Sequence, residues 1–111
     1  MPKYLFVYHG GDFPEELARS QGVAWDSWLQ SLGPKVLDQG GPLQPGWTLA
    51  ANGKVVDNGG ANPATGYNII EAASFEAAIT IAEGCPQTKA PHQNGTIEIA
   101  EVMSMRKKAA P

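Results

Sequence analysis

The sequence is short of the groups that carry most familiar chemistry. It has one cysteine, Cys85, and two histidines, His9 and His92, among 111 residues. A lone cysteine cannot form an intramolecular disulfide, and it leaves no cysteine pair for a zinc site. Charged residues are only 17% of the chain and the net charge is -3. That acidic balance argues against nucleic acid as a main partner. No apolar run approaches the roughly 20 residues of a membrane-spanning helix. Met1-Pro2-Lys3-Tyr4 leads straight into a strand-like run without a signal-peptide pattern, so a cytoplasmic protein is expected. There is no phosphate loop, dinucleotide fingerprint or nucleophile elbow. Neither a cofactor nor a metal is therefore expected.

What the chain does have is turn residues and aromatics. Thirteen glycines and nine prolines stand beside three Trp, three Tyr and three Phe. The aromatics need a core, so the chain is not disordered. At this length one core is all it can hold. A single domain over residues 1–105 is expected, followed by a flexible basic tail, 106–111.

The glycines and prolines mark the joints. Lys3 to His9 is apolar on both faces and reads as a central strand. After Gly10-Gly11, Asp12 can cap a helix, with Pro14 in its first turn and Glu15 at the capping-box distance. Trp25, Trp28, Leu29 and Leu32 form one stripe of that helix, and Gly33-Pro34 stops it. Lys35 to Gln39 is a short strand, ended by Gly40-Gly41-Pro42. Trp47–Ala51 and Lys54–Asp57 flank Asn52-Gly53, the signature of a hairpin with a type I′ turn. A loop, Asn58 to Pro63, leads to a strand from Gly66 to Glu71. Ser74 caps a second helix, with Phe75, Ala78, Ile79 and Ala82 in its stripe. A polar loop to Gly95 leads to a last strand, Thr96 to Met103, with Ile97 and Ile99 on one face.

Without the hairpin the order is β-α-β-β-α-β. The expected fold is α+β and ferredoxin-like: an antiparallel sheet with an inserted β-hairpin and both helices on one face. The other face holds apolar residues from Tyr4–Tyr8 and Tyr67–Ile70. A homodimer packed sheet on sheet would cover it.

The residues themselves suggest a site but name no reaction. His9 ends the first strand beside a flexible loop and can serve as acid or base, with Asp38 or Asp57 to orient it. Asn62, Thr65, Tyr67 and Asn68 cluster at the entry to the fourth main strand, where they can bind a small molecule or build a constrained turn. Trp47, at the start of the hairpin, can lid a pocket or pack across an interface. The expected catalytic pair is His9 with Asp38, and the expected ligand contacts are Asn62, Thr65, Tyr67, Asn68 and Trp47. Trp25 and Trp28 read as core, His92 as a loop residue and Cys85 as a buried small residue.

Tyr4-Leu5-Phe6-Val7-Tyr8, Gly40-Gly41-Pro42-Leu43, Gly59 to Tyr67, Ile69-Ile70-Glu71-Ala72, Glu76-Ala77-Ala78, Gly84-Cys85-Pro86 and Ile97-Glu98-Ile99 through Met105 together resemble the YCII-related, or DGPF-domain, family. The resemblance covers nearly the whole chain. It implies a small bacterial protein with a dimeric α/β-barrel fold. The polar cluster beside apolar sheet faces leads to the expectation of a small-molecule-binding protein with lyase- or isomerase-like acid/base chemistry in a cleft; alternatively, the resemblance allows a non-catalytic accessory role beside sigma-factor-like regulators. Related proteins have been proposed to use a His-Asp pair with the histidine on the first helix. That position falls near Gly22, and no histidine lies between Asp12 and Gly33.

Overall fold

The computed structural model describes residues 1–57 and 59–103; Asn58, Ser104, Met105 and the basic tail 106–111 lie outside the described residues. The elements are β1 (Lys3–His9), α1 (Ala18–Leu32), β2 (Val36–Pro42), β3 (Thr48–Leu49), β4 (Val55–Val56), β5 (Ala64–Glu71), α2 (Phe75–Ala82) and β6 (Thr96–Glu101). The main sheet has the order β2-β5-β1-β6 and is antiparallel throughout. Each helix connects strands separated by one other strand, which is the ferredoxin-like arrangement. β3 and β4 form their own two-stranded ribbon.

Strand alternation decides what faces the helices. Tyr4, Phe6 and Tyr8 point to the helix side, where they meet Ile70, Trp28 of α1, and Ala78 and Ala82 of α2. Ile97 and Ile99 of β6 pack against the same cluster. Phe6 is fully buried and marks its centre. The intervening residues face the other way. Leu5 pairs with Ile69 and Ala100, and Val7 pairs with Tyr67 and Glu98. Leu5, Val7, Tyr67 and Ile69 are only half-buried, so among the described residues this second face keeps an uncovered apolar centre, flanked by Lys3, Glu71 and Glu98.

Several joints differ from the sequence reading. Asp12 does not cap α1; its carbonyl accepts from Gln93 N at 2.7 Å, in an isolated bridge to the loop before β6. The helix instead follows a 3-10 turn, Glu15–Leu17, and neither start has a side-chain cap. Ser74 does cap α2, accepting from Ala77 N at 3.1 Å. The hairpin turns through three residues, because Ala50 N bonds Lys54 O and Gly53 N bonds Ala50 O. Only Gly53 there takes a positive φ, so the turn is type I with a glycine bulge and not type I′. β2 continues through Gly40 to Pro42, with irregular register against β5. Gly40 sits at φ +60 against the Tyr67 carbonyl, where a side chain would collide.

Candidate cleft between the first helix and the sheet

A cavity of about 860 Å³ lies between α1 and the ends of β1, β2 and β5. Its floor is built by the alternation described above. Tyr8 is 4% exposed, and its hydroxyl donates to Asn68 Oδ1. Asn68, one pair along β5 on the same face, in turn donates from Nδ2 to Gln39 O at 2.6 Å. Burial raises the Tyr8 phenol above its ordinary pKa, and neighbouring Cys85 adds to this. At neutral pH Tyr8 is therefore a proton-bearing group and not a base. Burial likewise pushes the Cys85 thiol up to about 11, which makes it a poor nucleophile.

The walls are aromatic. Trp25 stands edge-on to Tyr8 at 5.0 Å and to Trp28 at 5.9 Å. Phe13 meets the His92 ring at 4.9 Å. The Trp25 indole N–H donates to His92 Nε2 at 3.2 Å. Indole is only a donor, so Nε2 accepts and the imidazole proton sits on Nδ1. His92 is 8% exposed, and its Nδ1 has no partner among the described residues.

The loop carrying His92 is held down by Gln87. This buried side chain donates to His9 O at 2.9 Å and to Gly10 O at 3.3 Å. The Asp12–Gln93 bridge is a second tie. The end of β1 and the loop before β6 thus close one end of the cleft together.

The residues expected to form a site are divided by this geometry. Thr65 and Asn68 line the cleft, and Tyr67 borders it from a strand position that alternates to the second face. Thr65 sits at a bulge opposite β1 and donates from Oγ1 to Gly10 O at 3.0 Å and Tyr8 O at 3.2 Å. His9, Asp38, Asn62 and Trp47 are not among the lining residues. His9 follows Tyr8 and so faces the other side of the sheet. Its Nδ1 bonds the Asn62 carbonyl at 3.0 Å, and its Nε2 lies 3.1 Å from Glu98 Oε1. Asp38 accepts from Gly40 N at 2.9 Å within its own turn. The hairpin leaves Trp47 72% exposed.

Sequence reasoning gave Trp25 and His92 no functional role and passed over Tyr8. The parity of β1 carries the signal for Tyr8, because Tyr4, Phe6 and Tyr8 share one face. Nothing local marks His92, since its burial depends on ties made from residues far away in the chain. The cleft carries two exposed carboxylates, Asp12 and Asp26, and no lysine or arginine lines it among the described residues. No three His, Cys, Asp or Glu side chains converge as a metal site among the described residues.

Comparison with curated proteins and with solved structures gives no significant match. Comparison with family models does: the YCII-related domain matches residues 13–106. That span takes in α1, β2, β5 and β6, and leaves out β1 with the cleft residues Tyr8 to Asp12. The chain belongs to the YCII-related family.

Proposed function

We propose that this protein binds a small, mostly apolar molecule in the cleft between α1 and the sheet. The observation that carries this reading is an open cavity with aromatic walls and convergent polar groups, Tyr8, Asn68 and His92. Clefts of this size and character are the usual seats of small ligands. The competing reading, a non-catalytic accessory module, leads one to expect a closed interior without such groups, and the cavity weighs against it. Acid/base chemistry of a lyase or isomerase type would rest here on Tyr8 and His92. His9 is engaged on the opposite side with Glu98 and the Asn62 carbonyl.

The apolar second face supports a homodimer packed sheet on sheet through Leu5, Val7, Tyr67 and Ile69. Light scattering across a dilution series tests it. A Leu5→Asp variant is expected to be monomeric, and a wild-type chain that is monomeric at all concentrations would remove the dimer.

A ligand-observed NMR screen of aromatic fragments, with amide shifts of the protein followed in parallel, tests the binding role. The expected shifts centre on Tyr8, Asn68, His92 and the Trp25 indole. Shifts confined to the hairpin or to the second face would overturn the reading.

A further inference from the structure

We infer that Gln87 gives the cleft a hydrogen-bond acceptor, its Oε1, for an apolar ligand that carries a neutral N–H group. This rests on the reading of the cleft as a ligand site. It adds the kind of polar group the ligand brings and the atom that meets it.

Gln87 is 3% exposed, and it lines the cleft. The nitrogen of its side-chain amide can only donate, and the oxygen can only accept. The nitrogen is committed: Nε2 donates to the carbonyls of His9 at 2.9 Å and Gly10 at 3.3 Å. Those two acceptors fix the sense of the amide, because the reverse orientation would set oxygen against oxygen. Oε1 has no hydrogen-bond partner among the described residues. It is not sealed either. Among the described residues, His92 Nδ1 is the buried side-chain polar atom that is both enclosed and unpartnered. An unpartnered Oε1 therefore keeps surface that a molecule can reach. Gly11 shows where the amide lies. It also lines the cleft, and a Cβ placed on it would fall within 2.6 Å of both Gln87 amide atoms.

A nearly buried carbonyl without a donor is costly. The other polar side chains of the cleft have given their protons elsewhere. Tyr8 donates to Asn68, Thr65 to the Gly10 carbonyl, Asn68 to the Gln39 carbonyl and Trp25 to His92. A molecule that enters must bring the donor itself. An O–H would bring lone pairs as well, whereas the N–H of an amide or a heteroaromatic ring brings a donor alone. A charged ammonium would lose its hydration beside a group this buried, and a neutral amide oxygen does not repay that loss. The body of the ligand has room toward α1, where a Cβ placed on Gly22 would meet nothing within 4 Å.

The test uses three flat bicyclic probes: indole, benzofuran and N-methylindole. Indole has the N–H; benzofuran has a ring oxygen in its place, and N-methylindole a methyl group. Dissociation constants are read from amide chemical-shift titrations at neutral pH, with the glutamine side-chain carbonyl carbons isotope-labelled. Indole is expected to bind roughly threefold to tenfold tighter than the other two, the worth of one hydrogen bond. It alone is expected to move the Gln87 side-chain carbonyl resonance downfield. In Gln87→Met the affinities should converge, whereas Gln30→Met, at an exposed position of α1, keeps the wild-type ratio. Gln87→Met also removes the tie to His9 and Gly10; should it not fold, the carbonyl resonance of the wild-type chain decides alone. The acceptor site is overturned, and the binding role stands, if the probes shift Tyr8, Asn68 and Trp25 but indole and benzofuran bind alike. An unmoved Gln87 carbonyl, or an indole preference that survives in Gln87→Met, overturns it too. If no probe shifts those three residues, the binding role and the acceptor site fall together.

Discussion

Tyr8 and His9 are neighbours in sequence but belong to different regions of the molecule. Tyr8 faces the helices, hydrogen-bonds Asn68 and forms the floor of an aromatic cleft. His9 faces the other side of the sheet, between a loop carbonyl and Glu98. On a strand, one step along the chain is a change of face. A histidine beside a flexible loop attracts a catalytic reading, whereas the tyrosine before it is the residue that reaches the cavity.

The sharpest way to probe the two faces is to truncate each. Phe6→Ala on the helix side should cost about 3–5 kcal/mol, because a fully buried ring leaves a hole. Val7→Ala on the second face should cost about 1 kcal/mol in a dilute monomer and more where dimers form. Denaturant unfolding at two protein concentrations measures both. Equal costs in the dilute monomer would erase the distinction.

Alkaline pH acts on the helix side. Both Tyr8 and Cys85 are raised by burial, Cys85 from 9.0 to about 11. An unfolded chain loses the thiol proton first, so the folded state holds more protons between those values. Stability is then fully present below about pH 9 and falls as pH rises toward 11, by roughly 2–3 kcal/mol for Cys85. Cys85→Ala should flatten the fall between pH 8 and 10. An equally steep loss in that variant would assign the effect elsewhere.

A smaller effect separates the two neighbours directly. Tyr8→Phe removes the donor to Asn68 and should cost about 1 kcal/mol of stability, with weaker binding of a cleft probe. His9→Gln should leave probe affinity in the cleft within about twofold, a change worth only about 0.4 kcal/mol. If His9→Gln abolishes cleft binding, the division between the faces fails. The smallest effect has the opposite sign. Gly22→Ala should stabilise α1 by about 0.5–1 kcal/mol while reducing affinity for a bulky probe, measured as a rise in Tm with a rise in Kd.

Much of the fold was legible because the signals are local. Ser74 caps α2, Ile97 and Ile99 share a face, and the glycine and proline clusters fall at the joints. The misread joints are those settled by distant partners. Asp12 has the chemistry of a cap, but its backbone is claimed by Gln93, about 80 positions away. Part of the candidate cleft was legible: Thr65 and Asn68 line it, and Tyr67 borders it. Asp38 and Asn62 were grouped with them by residue type, yet the Asp38 carboxylate accepts within its own turn and the Asn62 carbonyl meets His9 on the other side of the sheet. Gln87 and His92 lie in a segment that reads as a polar loop, and they become buried only when that segment is tied to the end of β1.

The vacant position on α1 has a consequence for how this protein can change. Most residues around a ligand site also hold up the core, so altering specificity there endangers the fold. A Cβ added at Gly22 would meet nothing within 4 Å, and the position gives onto the cleft one turn before a carboxylate. A side chain introduced there alters the shape of the site and strengthens the helix in the same step. Under the proposed binding role, ligand choice and folding are uncoupled at one position, and divergence in binding can begin there without passing through an unstable chain.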